Sequence, residues 1–360
     1  MLRFFDPACG CGNFLIISYR ELRLLEIELL KVLRKNGQLE LDVAKMSRID
    51  VDQFYGIELG EFAARIAEVA LWMMDHIMNN RLSLEFGESY ARIPIKKSPH
   101  ILNADALETK WSDLIAPADC ALILGNPPFG GAKYQSPEQR TQVRRIAQLG
   151  GSGGTLDYVT AWFITAGEYL RLSPARVGFV ATNSVTQGEQ VAQLWPILFD
   201  RCGLEITFAH RTFAWGSDAR GMAHVHVVIV GLCRRAQEPP IKRLFSYDDI
   251  NGDPVESTHE TLSPYLFDAS KLLNRHLVIE ETSRSLSGAP KMIIGSKPID
   301  GGYLIFDDFE RESFLKVEPN AERFMHPFIG GVEYLQGRSR WILALQNASP
   351  TELLAMPGSC

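Results

Sequence analysis

Phe4-Phe5-Asp6-Pro7-Ala8-Cys9-Gly10-Cys11-Gly12-Asn13-Phe14 runs from a short apolar strand through a glycine-bearing turn into a long amphipathic segment. Glycine adopts backbone conformations that a Cβ forbids and lets a ligand approach the chain closely. In open α/β sheets ligands settle at the carboxyl ends of the strands, where this turn lies. A dinucleotide site needs Gly-x-Gly-x-x-Gly with pyrophosphate on the helix N-terminus. Here Leu15 holds the third glycine position, and Asp6 brings negative charge to where a phosphate would sit. Asp6 suits a ligand with a positively charged amino-acid end. Ala8, Gly10, Gly12, Asn13 and Phe14 are the neighbouring contact candidates.

Working outward, short apolar runs alternate with helical patterns over the first 230 residues, the signature of a largely parallel α/β sheet. Strands are expected at Leu2–Phe5, Phe54–Ile57, His100–Leu102, Ala121–Leu124, Arg176–Ala181, Glu205–His210 and His224–Gly231. Apolar residues at three- and four-residue spacing predict helices over Asn13–Leu33, Phe62–Met78, Tyr158–Leu170 and Glu189–Phe199. No helix separates the last two strands. Arg211–Ala223 joins them with Gly216, Ser217, Asp218 and Gly221, which predicts an antiparallel hairpin with a long loop. Two acids follow later strands: Glu58, before Leu59, and Asp105, before Ala106. A single such acid is ordinarily a helix cap, but three acids after three consecutive strands are hard to explain as three caps. Glu58 can accept from both hydroxyls of a ribose, and Asp105 from an exocyclic ring amine.

The fourth strand leads into Asn126-Pro127-Pro128-Phe129. The two prolines remove two backbone donors and stiffen the turn. The Asn126 amide and the Pro127 carbonyl are thereby held as two acceptors for an amino group with two hydrogens. Adenine N6 is such a group, and its lone pair is delocalised into the ring. Two acceptors draw it towards tetrahedral geometry, an orientation and dipole effect worth several kcal/mol. Phe129 can stack on the base, worth about 1–3 kcal/mol. Inside a duplex N6 is out of reach, so the nucleotide must be flipped out. Phe213 and Trp215, in the long hairpin loop, are candidates for a second aromatic wall.

Composition excludes little. The 360-residue chain is 46% apolar and 22% charged, room for one large domain plus a second. Apolar runs such as Val225–Leu232 fall well short of the roughly 18 residues of a membrane helix, and no signal-peptide layout opens the chain, so a cytoplasmic protein is expected. Cys9 and Cys11 have the wrong spacing for common zinc sites, and His224 and His226 read as ordinary packed or surface histidines, so no metal is expected. A net charge of −6 argues mildly against nucleic acid. Lys133, Arg140, Arg144 and Arg145 are a local exception that can line a DNA cleft.

With these residues in view, the chain resembles the γ-class DNA adenine-N6 methyltransferases, most of all the methyltransferase part of MmeI-like restriction–modification enzymes. The resemblance rests on Phe5–Phe14, Tyr55-Gly56-Ile57-Glu58, Asn103-Ala104-Asp105-Ala106 and Asn126-Pro127-Pro128-Phe129, with Leu156-Asp157-Tyr158, Gly178–Asn183 and Ala223–Gly231 fitting later elements. It implies a Rossmann-like sheet of seven strands in order 3-2-1-4-5-7-6, the seventh antiparallel. It implies S-adenosylmethionine as cofactor, double-stranded DNA as partner and a flipped adenine as substrate. A composition shift at Cys233–Pro240 places the catalytic domain at 1–235, with 236–360 a linker and the start of a mixed α/β target recognition domain. Phe328–Glu333 and Arg340-Trp341 look like the entrance to that domain. The family's helical segment before the first strand and its fused nuclease have no counterpart here, so the chain is expected to be part of a larger enzyme. Two other readings are a relict DNA-binding or specificity module, and a related transferase acting on RNA or on protein glutamine.

Overall fold

The computed structural model describes the chain apart from residue 1 and residues 36–46, 87–96, 151–154, 216–224, 281, 283–286, 289, 291–297, 299–300 and 357–360. The chain forms two compact units, Met1–Glu281 and Thr282–Cys360.

In the first unit the strands are β1 (Phe4–Asp6), β2 (Phe54–Glu58), β3 (His100–Asn103), β4 (Leu122–Gly125), β5 (Arg176–Thr182), β6 (Leu204–Trp215), β7 (Val225–Arg234), β8 (Lys242–Ser246) and β9 (Val255–His259). They pair in the order β3-β2-β1-β4-β5-β7-β6-β8-β9. The first seven places match the expected order, and β7 runs antiparallel to both β5 and β6. The expected count of seven strands is corrected to nine, because β8 pairs parallel with β6 and β9 closes the edge antiparallel to β8. Val255-Glu256-Ser257-Thr258-His259 lies at that edge with its side chains wholly or partly exposed, so it carries no apolar alternation to betray a strand. The shift at residues 235/236 therefore falls between β7 and β8 of one sheet, and Ile241 directly precedes β8.

The hairpin is also corrected. Phe213, Ala214 and Trp215 belong to β6 and pair with Val227, His226 and Val225, so the strand pairing runs further into the expected loop. Register shifts between Ile206 and Phe208 and between His210 and Phe213 break the alternation that would have marked β6 as one long strand. Gly216, Ser217, Asp218, Gly221 and His224 lie outside the described residues.

Alternation along β1 sends its side chains to opposite faces. Phe4 joins a core with Leu15, Tyr19 and Ile27 of helix α1 (Asn13–Lys35) and Ala67 and Leu71 of α2 (Glu61–Phe86). Phe5 joins a larger core on the other face, where its ring meets Trp111 edge-on. Helices α3 (Pro137–Ala147), α4 (Thr160–Leu170) and α5 (Glu189–Pro196) contribute to that second core. Between α1 and α2 the fully buried Arg23 donates to the Tyr19 hydroxyl, Asn79 Oδ1 and the Ile49 carbonyl, and Glu26 and Asp75 balance its charge. A buried cation is tolerable only with such a partner set.

The second unit has a three-stranded antiparallel sheet in the order β10 (Ile305–Phe306), β12 (Trp341–Leu343), β11 (Met325–Pro327), with helix α6 (Asp308–Val317). Its own core gathers Ala321, Phe324, Met325, Leu343 and Met356. Arg340 stacks over the Phe328 ring and pairs with Glu333, so the run expected at a domain entrance lies inside this unit. The short apolar run Lys291–Ile294 and Cys360 lie outside the described residues.

Candidate active site

The carboxyl ends of β1, β2, β3 and β4 open onto a cavity of about 420 Å³, within the size range of small-molecule sites. Ala8, Glu58, Leu59, Asp105, Ala106, Asn126 and Pro128 line it, so residues from all four strand ends chosen from sequence converge, with Asp6 itself outside the lining. Pro7, Gln139, Tyr158 and Trp162 line it too, and these were missed. Trp162 donates to the Pro7 carbonyl at 3.1 Å from a position 155 residues away, a contact no local pattern announces.

Asp6 ends β1 and is 1% exposed. Its Oδ1 accepts from the Ala8 amide at 3.0 Å, while its Oδ2 is buried with no partner among the described residues. Burial, with the charge of Glu58 adding to it, pushes this carboxyl up to about 7. A Cβ on Gly125 would lie 2.5 Å from Asp6 Oδ1, so glycine at the end of β4 is what lets the two strand ends sit side by side. Gly10, at φ +53°, donates its amide to Glu58 Oε2 at 2.9 Å, and Gly60 donates to Oε1 at 2.8 Å. The turn thus fixes Glu58 from both sides. Burial also pushes the neighbouring Cys9 thiol upward, which leaves it an unreactive filler.

Other expected contacts lie elsewhere. Gly12 lets α1 start against α2, since a Cβ there would sit 3.0 Å from Ala67 Cβ. Asn13 is exposed at the start of α1, and Phe14 lines a different cavity with Phe208 and Ile229. Phe213 stacks on Tyr247 with ring centroids 5.0 Å apart and does not line the site, and Trp215 shares its strand.

At the turn after β4 Pro127 is buried, Pro128 is exposed and Phe129 packs partly against the larger core. Asn126 Oδ1 is buried without a partner among the described residues. An unsatisfied buried acceptor costs about 1–3 kcal/mol, so one on a residue that lines the cavity points to a ligand that supplies a donor. The segment after the turn is held by Asp157, which accepts from the Ala132 amide and from the hydroxyls of Thr182 and Ser184. Tyr158 donates its amide to the Gly130 carbonyl, and burial pushes its hydroxyl up to about 12.

Of the four basic candidates, Arg145 is committed to both oxygens of Glu108, and Arg140 donates to the Ala132 carbonyl. Lys133 and Arg144 are exposed. Among the described residues no cluster could hold a metal ion, and no helix is long and apolar enough to cross a membrane.

Strand order, glycine turn and acid-lined cavity define a methyltransferase-type α/β fold. Residues 1–246 match the MmeI DNA-methyltransferase domain and residues 273–358 the MmeI target recognition domain. The chain is 35% identical over 360 residues to DNA methyltransferase A of Bacillus subtilis (strain 168), covering 99% of this chain and 39% of that protein. It superposes on the type IIL restriction–modification enzyme MmeI, solved in complex with DNA, with a TM-score of 0.92 at 45% identity, covering 99% of this chain and 47% of that one. The chain belongs to the MmeI family of DNA methyltransferases and carries both of these domains. It spans less than half the length of either relative.

Proposed function

We propose that this chain transfers a methyl group from S-adenosylmethionine to N6 of an adenine flipped out of double-stranded DNA, as the modification part of a restriction–modification enzyme. The observation that carries the reading is the buried, unpartnered Asn126 Oδ1 on a residue that shares one cavity with Glu58 and Asp105. Asp6 Oδ2 would take the ammonium of the cofactor's amino-acid end, which offsets the burial of its carboxylate. Glu58 would accept from the ribose hydroxyls, and Asp105 from the adenine amine of the cofactor.

When bound, the cofactor supplies a methyl group activated by a positively charged sulfur. Asn126 Oδ1 and the Pro127 carbonyl would accept the two N6 hydrogens of the target base and localise its lone pair towards that methyl. Pro128 would keep the turn stiff, and Phe129 would stack on the base. Such placed dipoles act where charge develops, so they contribute more to the barrier than to ground-state binding. Of the four basic candidates, Lys133 and Arg144 would be available to phosphates, and the second unit would select the DNA sequence. In MmeI-type chemistry so read, the first unit needs no metal.

Product analysis tests this. The protein is incubated with S-adenosylmethionine carrying a deuterated methyl and with DNA, RNA or a glutamine-bearing peptide, then the products are hydrolysed and weighed by mass spectrometry. Label on N6-methyladenine from DNA supports the reading. Label on RNA or glutamine assigns the related transferases, and cofactor-free protein at millimolar ligand assigns a relict.

A further inference from the structure

We propose that Gln142 is a positioning residue for the adenine end of the cofactor: it holds the Asp105 carboxylate so that the chain prefers an adenine over a purine that lacks the exocyclic amine. The inference rests on the reading of Asp105 given above and goes one residue further.

Gln142 sits on α3, half-buried beside the cavity. Its Nε2 donates to Asp105 Oδ2 at 2.8 Å and to Glu108 Oε1 at 2.9 Å, and its Oε1 accepts from the Tyr158 hydroxyl at 2.7 Å. Two carboxylates on one side and a hydroxyl on the other settle which end of the amide is which, since only the NH₂ end can face two acceptors. Arg145 grips Glu108 through both oxygens and holds its carboxyl below the usual range together with Gln142, so Glu108 stays a fixed neighbour. Asp105 Oδ1 accepts from the Leu107 amide at 2.8 Å. The carboxylate is therefore gripped at both oxygens, and Gln142 is the side chain that fixes the second one. Each oxygen keeps a lone pair for a ligand donor.

The helix does not need Gln142 to stand. Val143 and Ala147 bury its core face, and Ser136 and Gln139 close a capping box at its start. Gln142 also ties the cofactor end of the cavity to the catalytic turn, because Tyr158 binds both its amide and the Gly130 backbone.

Calorimetry with the demethylated product S-adenosylhomocysteine, and with its counterpart in which hydrogen replaces the adenine amine, tests the inference without turnover. A hydrogen bond to a charged acceptor should give the wild-type chain a preference of about tenfold or more for the adenine ligand. Asp105→Ala and Gln142→Leu should each reduce it below about threefold by weakening only the adenine ligand, while both variants keep a cooperative melting transition. Preference lost in Asp105→Ala but kept in Gln142→Leu overturns the role of Gln142. Preference kept in Asp105→Ala overturns the reading of Asp105, and the inference with it. Should Gln142→Leu not fold, Gln142→Met, close in size and without the donor, carries the same comparison.

Discussion

Asp6 offers the sharpest prediction. Its carboxyl titrates at about 7 because burial disfavours the charge, and only the charged form can receive an ammonium. Between about pH 8 and about pH 5.5 the ionised fraction falls from nearly all to about 3%, and the apparent affinity falls with the competent fraction. Cofactor-product affinity should therefore drop about thirtyfold as pH falls through 7, with protons released on binding near neutrality. Asp6→Asn should bind weakly at every pH, with a flat profile. Folding stability moves the opposite way. The native pKa lies above the ordinary value of 3.8, so the native state holds a proton that the unfolded chain has lost. Stability contributed by this group is thus full below about pH 4 and declines up to about pH 7, by about 4 kcal/mol. Asp6→Asn, neutral throughout, should gain on wild type over that window and then hold a constant lead. Calorimetry across pH reads the first effect and urea unfolding followed on the first unit reads the second. Affinity that stays within twofold from pH 5.5 to 8, identical in wild type and Asp6→Asn, would refute the placing of a cation beside Asp6.

Other outcomes follow from single contacts. Asn126→Ala should lower methyl transfer at least about a hundredfold while cofactor affinity stays within a few fold, checked by turnover and calorimetry on the same preparation. Gly125→Ala places a methyl against Asp6 Oδ1 and should lower both the melting temperature and cofactor affinity, as differential scanning fluorimetry with and without ligand would show. Lys133→Ala should flatten the salt dependence of DNA binding by about one unit of slope, whereas Arg145→Ala, whose charge Glu108 already occupies, should leave that slope unchanged.

Much of this arrangement was legible in the sequence because it is local. Each of β1 to β4 ends in its own chemical signal, and the residues that line the cavity at Ala8, Glu58, Asp105 and Asn126 sit within a few positions of a strand end. What escaped depends on distant contacts. Trp162 and Tyr158 enter the site from a helix start that reads as ordinary core, and the pairing of Arg145 with Glu108 is visible only once α3 lies beside the loop after β3. Phe14 was misplaced because successive helix residues turn by roughly 100°, so adjacency to a glycine turn does not decide which cavity a side chain faces. The edge strand β9 was hidden by polar residues that suit a solvated rim.

The most direct measurement is a crystal structure of the chain with S-adenosylhomocysteine. The account predicts its amino group at Asp6 Oδ2, its ribose on Glu58, its adenine amine on Asp105, and its sulfur on the side of the cavity where Asn126 stands. A ligand seated elsewhere, or an Asn126 side chain turned away from the sulfur, would contradict it.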